Sequence, residues 1–281
     1  MSSRLHYEVL VTPGAPRAGA KTLPTGEPIV SSPVSTVLVY GEEEAVLIDP
    51  PFLDFQIAQV RDWVAASGKR VRYVFSTHGH GDHWFGTAAL LPGFPGARVH
   101  ATPGTIEVMH QQAVQGRARM WDLDFPGMIP PSPVLAEPVP EEGLLLEGEE
   151  LRVIDVGHTD TDATSVLHVP SIGLVVAGDA VYNGVHQYVL EGADGGLRSW
   201  LSALDTIEGL APAHVVAGHK NVELPDDPAA IASTRSYLRD VVRLLEQKPD
   251  ARDFYEEMLR LHPDRLNPGP VWYGALGLLG S

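Results

Sequence analysis

Four side chains able to bind a metal fall within six consecutive residues of this chain: His78, His80, Asp82 and His83, in the run Thr77-His78-Gly79-His80-Gly81-Asp82-His83. The run follows Val71–Phe75, a continuous apolar stretch that reads as a buried strand. On extended backbone, residues two apart point the same way, so His78 and His80 share one space. Asp82 and His83 open a helix and can face that space from the other side. Gly79 and Gly81 let the backbone turn without side-chain clashes. A plain polar loop with Asp82 as helix N-cap would use one of these residues and leave three histidines idle. Neutral imidazoles and carboxylates suit zinc at about 2.0–2.2 Å. The chain has no cysteine, which removes thiolate metal sites, cysteine nucleophiles and disulfides together.

Three further candidates lie downstream, each after a predicted strand. His158 follows Leu151–Val156, Asp179 follows Leu174–Ala177 and His219 follows His214–Ala217. The pattern repeats: an apolar strand, a glycine, then a side chain able to bind a metal. In open α/β sheets, sites gather at strand ends.

These residues, in this order, resemble the metallo-β-lactamase fold superfamily over roughly residues 30 to 225. The resemblance implies an α/β fold: an αββα four-layer sandwich, two mixed β-sheets flanked by helices. It also implies a dinuclear zinc centre. His78, His80 and His158 would hold one ion, Asp82, His83 and His219 the second, and Asp179 would bridge them. The two ions would share a water or hydroxide that attacks the carbonyl of a substrate, and Asp82 would orient it and pass a proton. The His-rich set favours zinc, with iron and manganese as alternatives.

Departures from family patterns narrow the chemistry. Many glyoxalase-like members carry a second His soon after the third ligand, where this chain has Asp162. This weakens a glutathione-thioester reading. A carboxylate at Asp179 leans away from true β-lactamases and toward esterase or lactonase members. The expected function is therefore hydrolysis of a small, apolar ester- or lactone-type substrate. The alternatives are β-lactamase or thioesterase activity on the same site, or an iron-dependent oxidoreductase of the same fold. For substrate contacts, Met120 and Trp121 sit near a proline-rich segment that could form an apolar lid, although core packing explains such residues equally well. Tyr182, His186 and Tyr188 follow Asp179 closely and could reach the cleft. Trp84 and Phe85 read as core anchors of the ligand-bearing turn.

A formal net charge of −16 and the lack of any dense basic patch argue against nucleic-acid or anionic-membrane partners, leaving a small-molecule substrate. No apolar run suffices to span a bilayer and the N-terminal apolar stretch is too short for a signal peptide, so a cytoplasmic protein is expected. Strands alternate with helices through both halves and no linker divides them, so residues 1–281 read as one domain. Helices are expected over Leu53–Ala66, Thr105–Met120, Arg198–Ile207, Pro228–Glu246 and Asp250–Leu261. The segment Phe125–Pro140 reads as a surface loop, and the Gly-rich segment Gly274–Ser281 reads as a frayed tail.

Overall fold

Alternate residues of neighbouring strands part company in the folded chain. In the strand Val34–Tyr40, Val37 and Val39 enter one apolar cluster while Val34 and Leu38 enter another. The strand Glu44–Ile48 does the same, with Val46 and Ile48 on one side and Ala45 and Leu47 on the other. Strands apolar on both faces belong in a sheet covered on both sides.

The computed structural model describes residues 5–19 and 22–280. The first sheet holds β1 (His6–Thr12), β2 (Val34–Tyr40), β3 (Glu44–Ile48), β4 (Arg70–Phe75), β5 (Arg98–Ala101) and β6 (Glu137–Pro138), in that spatial order. The pairs β1–β2 and β2–β3 are antiparallel; the rest of this sheet is parallel. The second sheet runs β11-β10-β9-β8-β7, built from β7 (Leu144–Leu146), β8 (Glu149–Gly157), β9 (Thr164–Val169), β10 (Leu174–Asn183) and β11 (His214–Lys220). In it only β10 and β11 pair in parallel. Between the sheets, Val37, Ile48 and Phe75 meet Leu167, Val176 and Val216.

Helices cover the outer faces. On the first sheet lie α1 (Asp54–Ser67), α2 (Thr87–Leu90), α3 (Pro103–Gln111) and α4 (Asp122–Asp124), joined to it through a cluster that includes Val60, Leu90, Met109 and Phe125. On the second lie α5 (Gly196–Gly209), α6 (Ala229–Glu246), α7 (Ala251–Leu261) and α8 (Gly269–Leu279). In α5 the buried residues Leu197, Trp200, Leu204 and Ile207 recur at helical spacing, giving one continuous stripe against the sheet. The result is two mixed sheets flanked by helices, the αββα sandwich. Among the described residues no helix is long and apolar enough to cross a membrane.

Several segments differ from the sequence reading. The helix expected over Thr105–Met120 is two structures: α3, then ten residues of π-helix, Gln112–Trp121. The segment Phe125–Pro140 is irregular except where β6 pairs with β5. The tail expected to fray from Gly274 is instead the second half of α8, in which Gly274 and Ala275 are buried. A Cβ on Gly274 would lie 2.6 Å from Val189 Cγ2, so glycine serves close packing there. Ser281 lies outside the described residues.

Candidate metal centre

The His78–His83 run sits just past the end of β4, where strand ends of both sheets converge. Its geometry is set by hydrogen bonds that leave selected atoms free. Asp49, at the end of β3, accepts from the Thr77 backbone N–H through Oδ1 and from Thr77 Oγ1 through Oδ2, both at 2.8 Å. It has a left-handed backbone, φ 52°, a conformation Asp tolerates better than most residues. Because Thr77 Oγ1 donates to Asp49, it can accept from His78 Nδ1, 3.0 Å away, leaving His78 Nε2 with a free lone pair. Gly178 is needed beside this clamp. Its φ is +51°, and a Cβ there would lie 2.1 Å from Thr77 Oγ1.

The other imidazoles are oriented in the same way. His219 Nδ1 lies 2.7 Å from the Pro33 carbonyl, which only accepts, so the ring's proton sits on Nδ1 and Nε2 faces Asp179. His80 Nε2 lies 3.0 Å from Glu191 Oε1, which directs Nδ1 inward. His83 Nδ1 lies 3.5 Å from Asp49 Oδ2, and its Nε2 lies 3.3 Å from Asp179 Oδ1 and 3.9 Å from Asp82 Oδ2. Such outer partners fix the tautomer and direction of metal-binding histidines. The 3₁₀ turn Gly81–His83 aims Asp82 and His83. Trp84 anchors it by donating from Nε1 to the Gly79 carbonyl at 2.9 Å, and both Trp84 and Phe85 are buried, as expected. Trp84→Phe should therefore lower unfolding free energy by about 1–3 kcal/mol, because the carbonyl loses its donor; urea titration of the two proteins checks this.

The charges are tightly matched. Burial opposes a charged His83, but the Asp179, Asp82 and Asp49 carboxylates outweigh it and lift the imidazole to about 10. Burial would raise the Asp179 carboxyl, yet His219 and His83 hold it well below the ordinary range. For His78, burial and the neighbouring His83 favour the neutral ring.

Buried atoms without a hydrogen-bond partner gather here: His78 Nε2, both ring nitrogens of His83, Asp160 Oδ2 and Asp179 Oδ1. Each such atom costs about 1–3 kcal/mol if nothing meets it. Donor atoms of His78, His80 and Asp160 lie within 4.8 Å of one another, as do those of Asp82, His83 and His219. The donor set and its orphaned atoms fit divalent cations.

Six of the seven metal candidates read from the sequence, His78, His80, Asp82, His83, Asp179 and His219, are brought together. His158 is not among them. Its Nδ1 lies 2.7 Å from Asp162 Oδ1 and its Nε2 3.0 Å from the Glu191 carbonyl. Asp160, two residues on, faces His78 and His80 instead. Sequence reasoning missed Asp160, Asp49 and Glu191 beside the cluster, although Asp49 directly follows β3; Asp179, expected after a strand, lies within β10.

A cleft of about 460 Å³ opens over the cluster, with His80, Asp82, Asp179 and His219 among its lining residues. Met120, Trp121 and Tyr188 line it too, as does Tyr273 from α8. The π-helix supplies Gln112, Gly116, Arg119, Met120 and Trp121 to this wall; such helices are rare and cluster at functional sites. Trp121 is also core, with its ring edge-on to Phe52 at 5.2 Å. Two candidates lie elsewhere. Tyr182 is fully buried and donates to Asp179 Oδ2 at 2.7 Å from beneath. His186 is buried against Tyr237, with its Nδ1 3.1 Å from the phenol oxygen.

Fold and cluster together define a metal-binding αββα sandwich. The family model of the metallo-β-lactamase superfamily matches residues 30–219, and the chain belongs to that superfamily. Among solved structures it resembles a metallo-β-lactamase family protein of Thermus thermophilus, with TM-score 0.64 and 20% identity over 98% of this chain and 92% of the other. It also resembles a β-lactamase domain protein of Burkholderia ambifaria, with TM-score 0.63 and 19% identity over 98% and 84% of the two chains. A metallo-β-lactamase of Pontibacter korlensis gives TM-score 0.58 and 19% identity over 85% and 96%. No curated protein matches the chain. At such identities the structural likeness speaks for the fold, and the superfamily with its clustered ligands supports a metal-dependent hydrolase.

Proposed function

We propose that the protein hydrolyses small ester- or lactone-type substrates with an apolar body, using two divalent cations. The observation that carries this reading is the junction of the His and Asp cluster with an apolar-walled cleft, where Met120, Trp121, Tyr188, Leu190 and Tyr273 stand over His80, Asp82, Asp179 and His219. His78, His80, Asp82, His83, Asp179 and His219 would hold the cations, with Asp179 between the two sides. When bound, such ions supply Lewis acidity toward a carbonyl and lower the pKa of water toward neutrality. The His-rich donors favour zinc over magnesium or calcium, with iron and manganese as alternatives.

The chain's own groups supply the rest. Asp82 is the least enclosed carboxylate of the cluster, 16% exposed and 3.6 Å from His219 Nε2, so it is the group suited to accept and pass a proton. Tyr188 stands edge-on to His80, with ring centroids 5.5 Å apart. Burial raises its phenol pKa, so Tyr188 keeps its proton and serves as a hydrogen-bond donor to a substrate oxygen. Met120 and Trp121 exclude water from the acyl group. The net charge of −16 supports a small-molecule substrate over nucleic-acid or anionic-membrane partners.

The test is a panel of esters, lactones, thioesters and β-lactams against protein loaded with zinc, manganese or iron. Turnover should be highest on an ester or lactone and should vanish on chelation and return with metal. Preference for β-lactams, or turnover that survives complete metal removal, would overturn the reading.

A further inference from the structure

We propose that Asp160, rather than His158, completes the first cation site beside His78 and His80, so that this site consists of two imidazoles and a carboxylate. The inference rests on the metal-dependent reading above and concerns which residue this chain has placed in the third position.

Asp160 is fully buried. Its Oδ2 lies 2.8 Å from His80 Nδ1 and 3.8 Å from His78 Nε2. Despite that proximity, Oδ2 makes no hydrogen bond, and neither does His78 Nε2. The approach to His80 is therefore off the line of an N–H···O bond, as expected of donors aimed at a shared third point. Donors about 2.0–2.2 Å from a tetrahedral ion lie roughly 3.3–3.6 Å apart. The two measured separations bracket that edge. The other carboxylate oxygen is occupied: Thr159 Oγ1 donates to Asp160 Oδ1 at 2.9 Å, and Thr159 is itself held by Thr164 Oγ1 at 2.7 Å. This pair turns Oδ2 inward.

His158 is held away by both ring nitrogens. The Glu191 carbonyl only accepts, so His158 Nε2 must carry a proton and has no lone pair for a cation. Nδ1 is against the Asp162 carboxylate. Glu191 links the two arrangements. Its backbone carbonyl fixes His158, while its carboxylate buttresses His80 at 3.0 Å and accepts from Thr161 Oγ1 at 2.7 Å. The whole Thr159–Asp162 turn is thus tied down with Asp160 inward and His158 outward. A carboxylate in the third position adds a negative charge near the cations. It also makes the donor set harder than three imidazoles, which broadens acceptance toward manganese and ferrous iron.

The experiment uses the full chain, stripped of metal and titrated with zinc alone. Wild type, Asp160→Asn and His158→Ala are compared by calorimetry and by metal content per chain, with circular dichroism confirming the fold. Wild type and His158→Ala should each hold two zinc ions. In Asp160→Asn the affinity of one site should fall by at least about 100-fold, beyond the 10–100-fold typical of residues that only support a ligand. Loss of a zinc ion in His158→Ala, or equal losses in both variants, would overturn the assignment. Imidazole NMR of the wild type gives an answer free of mutation: the His158 ring signals should stay put as zinc is added, and displacement of its nitrogen shifts to metal-bound values would refute the proposal. A wild type that binds no zinc, manganese or iron would refute the metal reading itself, and this proposal with it.

Discussion

Asp179→Asn should lower kcat/KM on the best ester or lactone substrate by at least about 10³-fold while leaving the fold intact. The side chain is 3% exposed and sits between the two halves of the cluster. Its Oδ1 is 3.3 Å from His83 Nε2, its Oδ2 is 3.0 Å from His219 Nε2, and Oδ2 also accepts from Tyr182. Asparagine matches its volume, so packing changes little. What is lost is the negative charge that holds two cationic neighbourhoods close, and an N–H₂ donor then faces positions that need an acceptor. Metal charge contributes several kcal/mol to such reactions, and each 1.36 kcal/mol is about tenfold in rate. Steady-state kinetics on metal-loaded protein measures the effect. Tyr182→Phe is the comparison: it removes only the hydrogen bond from beneath, and should cost about 10- to 100-fold. If Asp179→Asn stays within tenfold of wild type, the carboxylate lies outside the reacting centre.

The site was legible where ligand spacing and strand ends coincide. The His78–His83 run needs no tertiary information, because neighbours in sequence face one space. His219 and Asp179 were found by a strand-then-glycine pattern, and that pattern has a physical basis: strands β10 and β11 run in parallel and deliver their ends to the same edge. At His158 the pattern is ambiguous, because the turn after β8 carries three competent side chains, His158, Asp160 and Asp162, and spacing alone does not say which of them points inward; here Asp160 faces His78 and His80 while His158 faces Asp162 and Glu191. The choice is made by Thr159, Thr164 and Glu191, the last 33 residues from His158. Proximity to Asp179 in sequence is the only local signal for Tyr182 and His186 as cleft residues. Both instead point into the packing beneath, one toward Asp179 and the other toward Tyr237.

Strands alternating with helices through both halves made an α/β sandwich readable, whereas the four-layer αββα order followed from the family resemblance and not from patterning. Elements whose stability comes from neighbours were not readable. β1 alternates burial only weakly and exists by pairing with β2 over seven residues. β7 is three residues long and depends on β8. Good helix formers after Pro103 announced a helix, but nothing local distinguishes the π-helical half, in which Gln112 accepts from Trp121 Nε1 at 2.7 Å. Glycines in Gly274–Ser281 suggested fraying, yet their small size lets α8 close on Val189 and bring Tyr273 to the cleft.

His186 should make the metal-free protein acid-sensitive from a position outside the ligand cluster, packed against Tyr237. The ring is 1% exposed, its Nδ1 is 3.1 Å from the Tyr237 hydroxyl, and its backbone N–H donates to the Leu266 carbonyl at 2.9 Å. Burial, reinforced by the positive charge of Arg265 and by His262, pushes its pKa down to about 3. An unfolded histidine titrates near 6.5. Above pH 6.5 the ring is neutral in both states, and the folded protein keeps its full stability. As pH falls from 6.5 toward 3, the unfolded chain takes up a proton that the folded chain refuses, so stability drops. The full effect is about 4–5 kcal/mol, with about 2–3 kcal/mol of it lost by pH 4.5. His186→Phe keeps a ring in the cavity and removes the titrating group. Urea unfolding in the presence of chelator at pH 7.5 and 4.5 should show wild type losing about 2–3 kcal/mol more than the variant over that interval. Equal losses in the two proteins would mean that His186 takes up its proton without unfolding the packing against Tyr237 and α6.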